Sequence, residues 1–91
     1  MPFQSWPDKD TDEVLDYEID WTSRLDGDTI AASTWTVPSG LTSSSNSNTT
    51  TTTTVWLSGG TTGTVYRVMN EITTAGGRTM DQTVNLKIAD K

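Results

Sequence analysis

Apolar and acidic residues alternate without a break from position 15 to position 21 of this 91-residue chain. A period of two places every apolar side chain on one side of an extended strand and every carboxylate on the other. The segment therefore predicts a half-buried antiparallel strand with an acidic side facing water. The apolar positions are Leu15, Tyr17, Ile19 and Trp21, and the acidic positions are Asp16, Glu18 and Asp20.

The same period recurs further along the chain, and the 3.6-residue period of a helix fits none of these segments well. A change of phase between Ile30 and Trp35 predicts a β-bulge in the second strand. The sequence Ala75-Gly-Gly77 predicts a tight hairpin turn before the last strand. The predicted strands are residues 14–21, 29–37, 51–58, 64–74 and 78–89.

Residues 39–54 have an unusual composition, because a Ser/Asn-rich stretch leads into six consecutive threonines at 49–54. The Ser/Asn part, residues 39–48, buries too little apolar area to order itself, so we expect a loop there. Threonine is β-branched and favours strands. We therefore expect the strand at 51–58 to begin as an exposed, polar edge.

Short strands separated by turns favour a β-sandwich or a barrel. The last three predicted strands follow a pattern common in Ig-like domains, and Tyr66 is the candidate for the tyrosine corner found in them. The fold class predicted is all-β: a small immunoglobulin-like antiparallel β-sandwich over residues 14–91. Its expected core contains Tyr17, Ile19, Trp21, Trp35, Val68, Ile72, Leu86 and Ile88.

Residues 1–13 predict an extended N-terminal arm, since Pro2 and Pro7 disfavour helix and no periodicity is present. Phe3 and Trp6 are its large aromatic residues. They either fold back onto the domain or anchor a partner protein, because aromatic side chains next to proline are good interface anchors. If they anchor a partner, removing residues 2–9 leaves the domain folded and prevents its incorporation into an assembly.

The composition excludes several classes of chemistry. The chain has no cysteine and no histidine, which rules out disulfides, thiol or imidazole chemistry and most zinc and copper sites. The net charge is −6, which makes nucleic acid and anionic membranes poor partners. The N-terminal sequence lacks the pattern of a signal peptide, and no apolar run approaches the length of a membrane span.

The carboxylates and hydroxyls do not predict an active site. Asp16, Glu18 and Asp20 form an exposed row of like charges, whereas a general acid needs burial to raise its pKa. The serines and threonines have no histidine to activate them. Residues 8–12 have the alternating acids of a calcium loop but lack its glycine and closing glutamate, so solvated charge is the preferred interpretation. We expect no enzyme activity, no cofactor and no metal.

Trp56 breaks the phase of its neighbours Val55 and Leu57, so either Trp56 or that pair faces outward. An exposed Trp beside threonines can bind a protein partner or stack on a sugar. The sequence thus offers three candidate partner-binding residues: Phe3, Trp6 and Trp56.

Four stretches of the chain resemble a family of small tailed-bacteriophage proteins of the fibre–tail adaptor type, also described as minor virion structural proteins. The likeness covers residues 7–89 in order and without large gaps. The stretches are DTDEVLDYEIDW at 10–21, LDGDTIAASTWTVPSGL at 25–41, VWLSGG at 55–60 and NEITTAGGRTM at 70–80.

The resemblance implies a structural component of a phage virion, made in the host bacterial cytoplasm and present in multiple copies in a symmetric assembly. As an adaptor or decoration, it would dock onto neighbouring tail, neck or head proteins through β-strand edges and aromatic contacts. The alternative is a module that binds glycans on the host surface through Trp56 and the threonine-rich strand. Nothing in the family pattern implies catalytic residues.

Overall fold

Burial alternates along most of the longer strands, and the chain forms two sheets that pack against each other. The structure, a computed structural model, describes residues 4–89, with the backbone alone at Gln4. Its elements are β1 (Gln4–Ser5), β2 (Leu15–Asp20), α1 (Thr22–Leu25), β3 (Ile30–Thr36), β4 (Leu41–Asn48), β5 (Thr52–Gly59), β6 (Val65–Thr74) and β7 (Thr79–Lys87).

The larger sheet has the strand order β1-β7-β6-β3, and the smaller has the order β2-β5-β4. All strand pairs are antiparallel except β1 with β7, which is parallel. The pairing of β3 with β6 shifts register between Ile30 and Ala32, which confirms the predicted bulge. This arrangement confirms the all-β sandwich.

The core lies between the sheets and contains side chains from both. Of the expected core residues, all are buried except Trp35, which is half-buried because β3 is an edge strand. Trp21 is the fully buried tryptophan, with no exposed surface. Further buried apolar residues are Leu25, Ile30, Leu41, Val55, Leu57, Tyr66 and Val84.

The Tyr66 hydroxyl accepts a hydrogen bond from the backbone N–H of Thr61, five residues upstream, at 3.0 Å. This bond holds the connection between β5 and β6 against the sandwich. Gly40 makes the close approach of the ring possible. A Cβ atom there would lie 2.9 Å from the Tyr66 hydroxyl oxygen.

The expectation of a loop at 39–48 is wrong, because residues 41–48 form β4 and pair with β5. Seven of its eight side chains are exposed, so backbone pairing rather than apolar burial orders this strand. The expected exposed start of the next strand is also wrong. Strand β5 is central in its sheet, and Thr53 is fully buried.

Candidate docking surfaces

Trp56 points away from the core on β5, the central strand of the smaller sheet. Val55 and Leu57 on either side of it have no exposed surface, whereas Trp56 is 40% exposed. Of the two alternatives left open by the sequence, Trp56 rather than the pair Val55 and Leu57 therefore faces outward. Trp56 is paired directly with Asp16 of β2 on one side and with Ser45 of β4 on the other.

The outward side of the smaller sheet carries negative charge and hydroxyl groups around Trp56. Glu18 is opposite Thr54, and Asp20 is opposite Thr52. The sequences of β2, β4 and β5 contain no lysine or arginine. Asp20 accepts hydrogen bonds from the Thr22 hydroxyl at 2.6 Å and the Thr22 N–H at 3.0 Å, which lower the pKa of its carboxyl. The Asp20 carboxylate therefore stays ionised at lower pH than an ordinary aspartate.

Strand β4 is an open edge of the same sheet. It pairs with β5 on one side, and among residues 4–89 no strand pairs with its other side. Its eight residues contain no charge and no proline, the usual devices that block strand addition, although its register shifts between Ser43 and Ser45. An edge of this kind can accept an extended segment from another chain.

Trp6 packs against the core of the sandwich. Its ring stacks on Tyr17 with centroids 4.7 Å apart, and it lies 6.1 Å from the ring of Trp35. Its indole N–H donates to the carbonyl oxygen of Glu18 at 3.2 Å. Trp6 is thus half-buried, which leaves part of its surface for a partner. Phe3, the other aromatic residue predicted in the arm, lies outside the described residues.

Lys9 anchors the arm to the domain, and its burial was not predicted from the sequence. The side chain is fully buried, and its Nζ donates to the carbonyl oxygens of Gly59 at 2.8 Å and Asp10 at 2.7 Å. Its backbone N–H donates to Lys87 O at 3.0 Å, and its carbonyl accepts from Ala89 N at 2.8 Å. The arm thus continues the edge of the larger sheet.

The acids next to Lys9 serve local structure. The Asp10 carboxylate accepts from the N–H of Asp12 at 2.9 Å, and Glu13 Oε1 accepts from the N–H of Asp10 at 2.8 Å. Across residues 4–89 no group of three His, Cys, Asp or Glu side chains is arranged to hold a metal ion. Within the same residues, no helix is long and apolar enough to span a membrane.

Two exposed apolar residues were missed by the sequence argument. Val14 is 56% exposed and directly precedes β2, and Val65 is 53% exposed at the start of β6. The period of two identifies both positions. Val14 is in phase with the acids of β2, and Val65 alternates with the buried Tyr66.

No curated protein matches the sequence significantly. A family model described as "Podophage GP4 fiber-tail adaptor protein gp77" matches residues 9–87, which confirms the resemblance found in the sequence. The matched region contains every element from β2 to β7. Since the match extends over most of the chain, this protein belongs to the family of podophage GP4 fiber-tail adaptor proteins represented by gp77.

Proposed function

We propose that this protein is a structural component of a tailed-phage virion that docks onto neighbouring tail, neck or head proteins as an adaptor or decoration. The family match over residues 9–87 is the observation that carries this proposal. The protein would be made in the host bacterial cytoplasm and incorporated in multiple copies into a symmetric particle. Its partners would be other virion proteins, with neither nucleic acid nor membrane among them.

The proposal includes an immunoglobulin-like topology. Strands β2, β5 and β4 follow the order of strands B, E and D of an Ig sandwich, and β7, β6 and β3 follow the order of G, F and C. The Tyr66 hydrogen bond to Thr61 occupies the place of the tyrosine corner. Sandwiches of this kind present rigid edges and faces to a partner.

Docking would use the open edge of β4 together with Trp56. A strand added to β4 gains main-chain hydrogen bonds, and an aromatic anchor beside that edge gives the contact its position. The protein would have no catalytic role, because the carboxylates of β2 are exposed and lack the burial that general acid catalysis requires. It would need neither cofactor nor metal.

The second candidate is a host-glycan module. Trp56 lies among hydroxyl and carboxylate groups of Thr54, Ser45 and Asp16, which is the kind of surface on which a sugar ring can stack and form hydrogen bonds. Purified protein would then bind host cell-wall polysaccharide or lipopolysaccharide, and Trp56→Ala would abolish that binding. We favour the adaptor role because the family match supports it, whereas a glycan site would need polar groups that converge on the ligand around Trp56.

Particles assembled without this protein and supplied with variants test the adaptor role. The double variant Ser44→Lys, Asn46→Lys places two positive charges on the edge strand β4. It should block strand addition and prevent incorporation while the domain stays folded. Ser39→Lys, at an exposed position just before β4, is the matched control and should be incorporated normally. Incorporation is measured by immunoblotting purified particles. Normal incorporation of the double variant would exclude β4 as the docking edge.

A further inference from the structure

Three large apolar side chains are exposed among residues 4–89: Val14, Trp56 and Val65. They lie on opposite sides of the sandwich. Trp56 faces outward from the smaller sheet, where Val14 continues the outward side of β2, and Val65 faces outward from the larger sheet. Leu15 pairs with Leu57 and Asp16 with Trp56, so Val14 and Trp56 are diagonal neighbours on the outward side of the smaller sheet. Neighbouring apolar groups with a polar rim mark contact surfaces.

The charges around these residues are of opposite sign. Asp16 is directly opposite Trp56 in the register, and Glu18 is two residues further along β2. We call Val14, Asp16, Glu18 and Trp56 the acidic patch.

On the other side of the sandwich, Lys87 is directly opposite Val65, and Arg67 is two residues along β6. We call Val65, Arg67 and Lys87 the basic patch. Glu71 and Asp81 face each other further along the same two strands, so the cations that β6 and β7 themselves carry, Arg67 and Lys87, lie at the end near Val65.

We propose that copies of this chain associate head to tail, with the acidic patch of one copy against the basic patch of the next. Lys87 of the second copy would lie over the ring of Trp56 and beside the Asp16 carboxylate, which combines a cation–π contact with an ion pair. Val65 would cover Val14. This inference rests on the adaptor role, because it supplies the multiple copies that the proposed function requires.

The two patches differ, so the contact is heterologous rather than two-fold. Such a contact generates a ring when the rotation between copies closes and a filament when it does not. Both patches lie at one end of the sandwich, since β5 ends at Gly59 and β6 begins at Val65 after a short connection. A domain of this size also gains stability from a partner that binds only the folded state.

Charge reversal tests the pairing. Sedimentation velocity of the wild-type protein at physiological ionic strength should show an average mass that rises with concentration. Asp16→Lys and Lys87→Glu should each abolish the rise, because each places like charges across the contact. An equimolar mixture of the two variants should restore association, because the new Lys of one variant then faces the new Glu of the other. The double variant should associate by itself for the same reason.

The matched control is Asp81→Lys, which makes the same change of charge on an exposed position of the larger sheet away from Lys87. It should associate like the wild type. A wild-type protein that stays monomeric, loss of association in Asp81→Lys, or failure of the double variant to associate would each overturn the proposal.

Incorporation into particles separates this inference from the adaptor role. If the wild type is monomeric and Asp16→Lys is still excluded from particles, the acidic patch contacts a different, basic virion protein. In that case the adaptor role stands and the contact between copies is refuted.

Discussion

The indole N–H of Trp21 donates a hydrogen bond to Asn70 Oδ1 over 3.1 Å, and both side chains are completely buried. The same N–H is 3.1 Å from Thr53 Oγ1, and the Thr53 hydroxyl donates to Asn70 Oδ1 at 2.7 Å. Asn70 Nδ2 in turn donates to Ser33 Oγ at 2.9 Å and to the Thr34 carbonyl at 3.1 Å. One amide thus joins the two sheets through a satisfied polar network.

Removing that amide should destabilise the domain. Asn70→Ala leaves the Trp21 and Thr53 donors with fewer acceptors in a buried site, so we expect a loss of about 1–3 kcal/mol in the free energy of unfolding. Urea denaturation monitored by circular dichroism measures it. Thr73→Ala, on the exposed side of the same strand, is the control and should change stability by less than about 0.5 kcal/mol. Equal stability of the two variants would show that the network contributes nothing net.

The arm should be part of the folded unit. Deleting residues 2–9 removes the Trp6 ring from Tyr17 and the buried Lys9 from Gly59, so the melting temperature should fall markedly. Trp6→Ala alone should cost up to about 3 kcal/mol, because the side chain is half-buried rather than fully buried. Pro7→Ala is the control and should melt close to the wild type. A truncated protein with an unchanged melting temperature would restore the interpretation of the arm as a separate anchor.

Trp21 and Trp56 should differ strongly in how much they contribute to the free energy of unfolding. Trp21→Ala empties a fully buried site and should cost about 3–5 kcal/mol, which is enough to unfold a small domain. Trp56→Ala removes an outward-facing ring and should change the free energy of unfolding by no more than about 0.5 kcal/mol. Thermal melts of the two variants compare them. A large loss in Trp56→Ala would mean that the smaller sheet depends on this ring for its own order.

The two tyrosines should ionise at different pH. Burial, with the nearby Glu13 and Asp16 carboxylates, raises the pKa of Tyr17 from 10.0 to about 12. The Thr61 hydrogen bonds lower the pKa of Tyr66. Since folding raises the Tyr17 pKa, its contribution to stability is complete below pH 10 and is lost as pH rises towards 12.

Ultraviolet absorbance of tyrosinate measures this order. The wild type should titrate in two steps, and Tyr17→Phe should lose the later one. Tyr66→Phe, which keeps the later step, is the matched control. A single step in the wild type at the ordinary tyrosine pKa would contradict the burial of Tyr17.

Strict alternation made β2 and β6 predictable from the sequence. Buried positions such as Ile19 and Val68 have neighbours of opposite character, and that contrast is local information. The outward direction of Trp56 followed the same logic once Val55 and Leu57 were known to be buried. The bulge after Ile30 also left a visible change of phase.

Strand β4 and Lys9 could not be predicted in this way. The order of β4 comes from the backbone of β5, a strand reached through a turn in which Thr49 N donates to Thr52 O at 2.9 Å. Its own side chains carry no apolar pattern. The ammonium group of the buried Lys9 donates to the carbonyl oxygen of Gly59, fifty residues further along the chain, and a single sequence does not reveal such a contact.

Because β4 is held by its main chain, almost none of its side chains is committed to folding. Residues 42–48 can therefore change identity at little cost to the core, provided that proline is avoided and the strand remains extended. If β4 is the docking edge that we propose, substitution here would alter what the edge recognises without altering the domain that carries it. A phage lineage whose partner protein changes could then adjust this one strand and keep the rest of the protein as it is.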